Sequence, residues 1–272
     1  MGSTKCVEIR TVQSISFKVL IEALKELLTD TCIEIDSQGL RIVAMDSSHI
    51  VLVHLKLDAD KFEYYHCPNK MVVGINMLNL HKLIKTINNN DALTFFIEED
   101  NLNQLGVKIE NGTAKTEFKL NLLDLDNTKI TIDPAQFTTV ITMPSCEFQK
   151  ICRDMNNLAD YMEIKNIQNT LIFSCVGDFC SQETVLTDTD NGMHRISNTG
   201  SESDIVQGVF SIKHLVLFTK CTHLCNTCEI FLKNDYPLIL RYSVASLGEI
   251  KLCLAPQNSQ ATGGHRQDEL LI

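Results

Sequence analysis

The most informative absences in this chain are long apolar runs and catalytic motifs. It contains no run of about 18 apolar residues, so we predict no membrane-spanning helix. The N-terminus lacks a basic stretch followed by an apolar block, so we expect no signal peptide. The phosphate-binding motif Gly-x-x-x-x-Gly-Lys-Ser/Thr, the metalloprotease motif His-Glu-x-x-His and the hydrolase motif Gly-x-Ser-x-Gly are also missing. We therefore predict that the protein is not an enzyme and uses no cofactor.

Positive charge is scarce as well. Among 272 residues, 24 are basic and 34 are acidic, so the net charge is -10. Taken over the whole chain, this balance argues against a nucleic-acid-binding protein.

The 11 cysteines are odd in number and scattered in spacing, which indicates a reducing compartment rather than a disulfide framework. The length is enough for two domains of ordinary size.

The residue pattern indicates an internal duplication. A Ser-x-x-Phe motif opens a helical apolar pattern at residues 14–17 and again at residues 145–148. Each pattern is followed by a predicted strand that contains Glu-Ile, at residues 34–35 and 163–164. The predicted helices lie at residues 14–29, 76–88, 145–159 and 211–222. Two helices and many short strands in each half predict an α+β fold built on antiparallel sheets.

A polar connector is predicted between the two halves. It contains several acidic residues and Pro134, which lacks an amide donor and disfavours a central strand. Ile130 and Ile132 interrupt this polarity. The predicted organisation is an N-terminal domain at 1–121, the connector at 122–136, a C-terminal domain at 137–257 and a flexible tail at 258–272.

Basic residues are concentrated on the predicted helices. The four windows contain eight basic and four acidic residues, a net charge of +4 that leaves -14 for the rest of the chain. The basic residues are Lys18, Lys25, Lys82, Lys85, Lys150, Arg153, Lys213 and Lys220. Spacings of three or seven residues place them in pairs on shared helix faces. The residues alone leave two interpretations open, a phosphate-binding surface or charges that are merely solvated.

A resemblance to a known family rests on four stretches of the sequence. The first is Met45-Asp46-Ser47-Ser48-His49, which follows the first predicted helix and two predicted strands. The others are Asp124-Leu125-Asp126, the run from Met143 to Asp154, and Leu254-Ala255-Pro256. In their order and spacing they resemble the eukaryotic sliding clamp family, proliferating cell nuclear antigen, over roughly residues 5–257.

The resemblance implies a DNA-clamp fold, in which two similar domains each pack two helices on curved antiparallel sheets. It implies a homotrimer whose copies join head to tail into a ring around double-stranded DNA, without sequence preference. The eight helix cations would then face phosphates. The edge strands expected at the subunit contacts lie at residues 113–120 and 182–189.

The resemblance also implies partners. They are DNA polymerase and other replication or repair proteins that carry a clamp-interacting peptide, and an ATP-dependent clamp loader that opens the ring. The residues at the family's peptide-binding positions are Met45, His49, Ile50, Leu52, Ile130, Ile132, Pro237, Ala255 and Pro256. For Leu52, an ordinary place in the core is the favoured alternative. The expected location is the nucleus, or a viral replication site if the protein is viral.

Two positions depart from the family pattern. Cys253 stands where family clamps usually carry an aromatic residue, which implies a wider pocket floor and an altered preference for partner peptides. Gln168 stands where family members carry the lysine that receives ubiquitin, so that position cannot be modified in the same way. Lys165 lies nearby.

Three alternatives stay open at this point. A subunit of the heterotrimeric checkpoint clamp would share the fold, although the Met-Asp-Ser-Ser-His run argues against it. A monomeric viral processivity factor would grip DNA without forming a ring. A zinc-binding or redox protein would use Cys221, Cys225 and Cys228 with His223. Their irregular spacing favours cysteine as a small apolar filler instead, so we predict no metal site.

Overall fold

The structure, a computed structural model, describes residues 4–126, 130, 136–137, 139–168, 170–188, 192–198 and 205–257. The predicted tail at 258–272 lies outside these residues, as do 127–129 and 131–135 of the predicted connector. The chain divides into two compact units. The first consists of Met1–Ser47, Val53–Ile130 and Ser243–Ile250, and the second of Ser48–Leu52, Thr131–Tyr242 and Lys251–Ile272. Among the described residues, no helix combines the length and the apolar character needed to cross a membrane.

The first half of the chain forms two α-helices and a series of short strands. Helix α1 spans Ser14–Leu27 and helix α2 spans Met77–Ile84. The strands are β1 (Lys5–Thr11), β2 (Asp30–Asp36), β3 (Gly39–Met45), β4 (Val51–Asp58), β5 (Tyr64–His66), β6 (Met71–Asn76), β7 (Ala92–Glu98), β8 (Asn101–Glu110) and β9 (Lys115–Asn121). A short 3-10 helix at Ala59–Lys61 lies between β4 and β5.

The second half has the same plan. Helix α3 spans Ser145–Met155, and helix α4 spans Ile212–Phe218 and continues as a 3-10 helix at Thr219–Leu224. The strands are β10 (Thr139–Pro144), β11 (Tyr161–Ile167), β12 (Thr170–Val176), β13 (Ser181–Thr187), β14 (His194–Asn198), β15 (Val206–Ser211), β16 (Thr227–Leu232), β17 (Leu238–Val244) and β18 (Gly248–Leu254).

The strand order of the first half recurs in the second. In the first half, neighbouring strands follow the orders β5-β1-β7-β8-β9 and β4-β3-β2-β6. In the second half, the corresponding orders are β14-β10-β16-β17-β18 and β13-β12-β11-β15. Equivalent strand pairs are antiparallel in both halves. The pair β1–β7 corresponds to β10–β16, and the pair β2–β6 corresponds to β11–β15. The predicted α+β fold with an internal duplication is therefore confirmed.

Equivalent hydrogen bonds hold the first helix of each half in place. The hydroxyl of Ser14 donates to the carbonyl of Asp91 at 2.6 Å. The hydroxyl of Ser145 donates to the carbonyl of Cys225 at 2.9 Å. Each serine is the first residue of its helix, and each acceptor lies in the segment after the second helix of the same half. The Ser-x-x-Phe motif therefore marks the same contact twice.

The helices bury the predicted apolar stripes but end before the predicted windows do. The buried residues include Leu20, Ala23, Leu24 and Leu27 in α1, and Phe148, Ile151, Cys152 and Met155 in α3. After α4, the hydroxyl of Thr219 donates to the carbonyl of Val216 at 2.7 Å, and the chain tightens into the 3-10 helix. The amide of Thr219 still donates to the carbonyl of Leu215, so this side-chain bond accompanies the change to 3-10 geometry after Phe218.

Candidate DNA-facing helices and partner surface

Most of the predicted helix cations are exposed. They are Lys82, Lys85, Lys150, Arg153, Lys213 and Lys220. Lys85 lies one residue beyond α2, and Lys220 lies in the 3-10 helix that follows α4. The apolar stripe of each helix is buried, so the exposed cations occupy the remaining face. Their exposure is compatible with phosphate binding and with solvation alike, so the phosphate-facing role stays a prediction.

Lys18 is half-buried and takes part in the packing of the first unit. Its ammonium donates to the carbonyl of Ile87 at 2.9 Å, which connects α1 to the segment that follows α2. In the second unit, the side-chain amide of Gln149 donates to the carbonyl of Thr219 at 3.2 Å, which connects α3 to the end of α4. Lys18 therefore has a structural contact that the sequence did not predict.

Two of the eight cations, Lys25 and Arg153, are paired with neighbouring acids. Lys25 Nζ lies 2.6 Å from Glu26 Oε1, and Arg153 Nε lies 3.7 Å from Asp154 Oδ1. Solvent-exposed ion pairs contribute little to stability, about 0–1 kcal/mol. A phosphate can therefore compete for Arg153, whose side chain is exposed, whereas the side chain of Lys25 is half-buried. The acid in contact with Lys25 is Glu26 and not Glu22, although Glu22 lies between the two lysines of α1 in the sequence.

A histidine that the sequence interpretation missed lies among these cations. His81 belongs to α2 and precedes Lys85 by four residues, so the two side chains share a helix face. Partial burial lowers the pKa of His81, and the charge of Lys25 on α1 lowers it further. The carboxylates of Glu22 and Glu26 act in the opposite direction. These effects favour the neutral imidazole of His81, and its spacing to Lys85 was the signal that could have identified it.

In the second unit, the structure brings several predicted peptide-binding residues together. The carbonyl of Ile50 accepts a hydrogen bond from the amide of Ala255 at 3.1 Å, while the Ile50 side chain is 38% exposed. Pro256 follows directly, and both it and Ala255 are half-buried. His49 is exposed and has a φ of 57°, a left-handed conformation that turns the chain just before Ile50. These residues form a small, partly apolar surface.

Other residues predicted for this surface are buried. Leu52 is only 2% exposed and Pro237 is also buried, so neither can be reached by a peptide in this conformation. Leu52 is a core residue because β4 buries three consecutive side chains at its start. Cys253 on β18 is buried too, and burial raises the pKa of its thiol to about 12. Cys253 therefore lies beneath the surface, and a wider pocket floor with an altered preference for partner peptides stays a prediction.

In the first unit, Met45 and Ile130 are half-buried, and Ile132 lies outside the described residues. The start of the connector is held by Leu123, whose amide donates to the carbonyl of Gly74 at 2.8 Å. A Cβ at position 74 would come within 2.3 Å of the Leu123 carbonyl oxygen. A glycine inside a strand signals such a close backbone approach, but the sequence interpretation did not use it.

Both predicted edge strands lie at the end of a sheet. β9 spans Lys115–Asn121, where an edge strand was predicted at residues 113–120. β13 spans Ser181–Thr187, where an edge strand was predicted at residues 182–189. Residue 189 lies outside the described residues. Three large apolar side chains on or beside β13 are exposed, with fractions of 82% for Val176, 77% for Phe179 and 50% for Val185. The sequence interpretation missed them because its apolar patterns were assigned to the core.

The cysteines of the second unit are packed as apolar side chains. Cys221 and Cys228 are buried, and burial raises the pKa of each thiol to about 12. Cys225 is half-buried and His223 is exposed. Within the residues that the structure describes, no three His, Cys, Asp or Glu side chains are placed to hold one metal ion. This geometry favours the interpretation of these cysteines as small apolar fillers.

Comparisons with known proteins connect this geometry to one family. The family model for the N-terminal domain of proliferating cell nuclear antigen matches residues 6–129, and that for its C-terminal domain matches residues 131–257. A relative from Paramecium bursaria Chlorella virus 1, described as "Probable DNA polymerase sliding clamp 1", is 37% identical over 255 residues. The matched region covers 91% of this chain and 95% of the relative. The chain therefore belongs to the proliferating cell nuclear antigen family of DNA sliding clamps, the processivity factors of DNA polymerases.

Proposed function

We propose that three copies of this chain close head to tail into a ring, which encircles duplex DNA and tethers DNA polymerase and other replication or repair proteins to it. The observation that carries the proposal is the pair of edge strands, β9 in the first half and β13 in the second. An edge strand offers a row of amide and carbonyl groups to another chain. Because the two edges differ, pairing β9 of one copy with β13 of the next is heterologous, and such a contact closes into a ring when its rotation is right.

Exposed apolar side chains support an association at the β13 edge. Val176, Phe179 and Val185 each expose a large apolar side chain on or beside this edge, and burying exposed apolar surface favours association. On the β9 edge, Phe118 and Leu120 are half-buried and would add apolar area to the same contact. Burying one large apolar side chain contributes about 1.5–3 kcal/mol, so Phe179 would be a main contributor.

The helix cations support contact with the phosphate backbone of the encircled duplex. Lysine and arginine neutralise phosphates without reading the base sequence. Many weak contacts of this kind hold a ring on DNA and still allow it to slide. The remainder of the chain carries a net charge of -14, which disfavours DNA binding on other surfaces.

Two further observations support the proposed partners, which are proteins with a clamp-interacting peptide and a clamp loader. The surface around Ile50, Ala255 and Pro256 suits a short amphipathic helix from DNA polymerase or another partner. A closed ring must be opened before DNA can enter, and this sequence contains no phosphate-binding loop. That absence supports a separate ATP-dependent clamp loader. The location that this function implies is the nucleus or a viral replication site.

The molecular mass in solution tests the ring. Light scattering should give three times the mass of one chain for the wild type, and the mass of one chain for Phe179→Glu, because a charge would be buried at the contact. Tyr64→Glu is the matched control, since Tyr64 is 50% exposed on β5, at the opposite end of the sheet from β9. The control should keep the trimer mass. A wild-type protein that stays monomeric at micromolar concentration would contradict the ring and favour a monomeric processivity factor.

A further inference from the structure

The seam between α1 and α2 contains a titratable group that the proposed DNA contacts do not use. His81 is half-buried on α2 and shares a face with Lys85. Helix α1 packs against α2, and its Lys25 lies near enough to the imidazole to affect it electrostatically. The two lysines belong to the cations proposed to face phosphates. A phosphate bound between them would therefore lie close to His81.

Burial and the charged groups around His81 favour its neutral form before DNA binds. Burial disfavours the imidazolium most, followed by repulsion from Lys25, and repulsion from Lys85 adds to both. Glu22 and Glu26 on α1 oppose this repulsion but do not overcome it, so the pKa of His81 lies below its ordinary value. The neighbouring Lys82 is exposed on the same helix.

We propose that His81 takes up a proton from solvent when duplex DNA binds, and that the clamp therefore holds DNA more tightly as the pH falls. This inference rests on the proposed function, because it requires that α1 and α2 face the duplex. A phosphate near Lys25 and Lys85 screens their repulsion and adds a negative charge beside the imidazole. Both effects stabilise the imidazolium, which then becomes an additional phosphate contact without base recognition.

Thermodynamic linkage determines the sign and the limit of the effect. If DNA raises the affinity of His81 for a proton, protonation raises the affinity of the clamp for DNA by the same factor. DNA affinity should therefore increase from about pH 8 to about pH 6, the range in which histidine changes charge. For each proton taken up, the increase cannot exceed about tenfold per pH unit.

Histidine NMR on the intact clamp gives the most direct test. The probe is a short blunt-ended duplex that can enter the ring without a loader, added at low ionic strength. We expect the titration midpoint of the His81 ring protons to rise when the duplex is added and to return to its original value at high salt. The ring protons of His66, which is exposed on β5 in the five-stranded sheet, should keep their midpoint. An unchanged His81 midpoint in the presence of bound duplex would overturn the inference.

Binding of the same duplex by variants provides a second test. His81→Gln should bind with the affinity of the wild type at about pH 8 but should lose the increase seen toward pH 6. His81→Lys should bind tightly at both pH values, because its charge does not titrate in this range. His66→Gln, the matched control, should behave as the wild type. An increase that persists fully in His81→Gln would place the coupling at another group and overturn the inference.

A third variant separates this inference from the proposed function. Lys85→Glu combined with Lys150→Glu removes two exposed cations from different units. If the duplex binds this variant as well as it binds the wild type, α2 and α3 do not face DNA, and the proposed DNA contact fails. If binding is abolished in this variant while His81 titrates identically with and without DNA in the wild type, the DNA contact stands and only the coupling is wrong.

Discussion

The missing side chain at position 74 determines how closely the connector approaches β6. A Cβ there would lie 2.3 Å from the Leu123 carbonyl oxygen and 2.9 Å from a side-chain carbon of Leu125. We expect Gly74→Ala to lower the free energy of unfolding by about 1–3 kcal/mol, because the clash is with backbone and requires a shift of the chain. Denaturant unfolding measures this change. Gly112→Ala is the control and should have little effect, since a Cβ at position 112 would meet no heavy atom within 4 Å.

Cysteine reactivity should follow burial. Cys146 is exposed, whereas Cys221 and Cys228 are buried and have thiols whose pKa is raised to about 12. Because the thiolate is the reactive form, we expect iodoacetamide to modify Cys146 in the folded protein and to spare the two buried thiols until denaturant is added. Peptide mass spectrometry measures the modification at each position. Rapid modification of Cys221 in the native protein would argue against its role as an apolar filler.

At the scale of elements, the sequence predicts what depends on periodicity and misses what depends on packing. The starts of α1 and α3 coincide with the predicted Ser14 and Ser145, because a serine before an apolar stripe is a local signal. The end of α4 at Phe218 could not be predicted, because the apolar pattern does not mark the change to a 3-10 helix at Thr219. The spacing of His81 to Lys85 is a local signal, but its partial burial and the nearby charge of Lys25 on α1, which together lower its pKa, depend on packing.

Charge reversal on three helical segments tests whether these segments act together on DNA. Lys85, Lys150 and Lys220 are exposed, and we expect their combined replacement by Glu to abolish stimulation of a DNA polymerase while the trimer persists. The slope of log affinity against log salt should also become shallower by about 0.9 for every phosphate that the variant no longer neutralises. The matched control replaces Lys56, Lys61 and Lys70 by Glu.

The control changes the net charge of the chain by the same amount but alters cations outside the four α-helices and the second 3-10 helix. Polymerase stimulation in the control variant should stay close to that of the wild type. If both triple variants lose activity equally, the total charge of the clamp matters and the position of the helix cations does not.

At the scale of the whole molecule, the two proposed surfaces differ in how far the sequence could predict them. Each of the edge strands β9 and β13 is one continuous stretch of sequence and begins within two residues of its expected position, although its place at a subunit contact was implied by the family resemblance. The surface around Ile50 and Ala255 joins segments about two hundred residues apart, which no local pattern relates. Only the resemblance to a family brought these segments together before the structure did.

The exposed side chain of Ile50 provides the sharpest test of the partner surface. Burying an isoleucine contributes about 1.5–3 kcal/mol, and a tenfold change in affinity corresponds to about 1.4 kcal/mol. We therefore expect Ile50→Ser to weaken the binding of a clamp-interacting peptide by about tenfold or more, as measured by calorimetric titration.

Ile205→Ser is the matched control, since Ile205 is 48% exposed in the second unit but was not predicted to bind the peptide. Both variants should keep the trimer mass, because neither residue lies on β9 or β13. Equal peptide affinities for Ile50→Ser and the wild type would place the partner surface elsewhere on the ring.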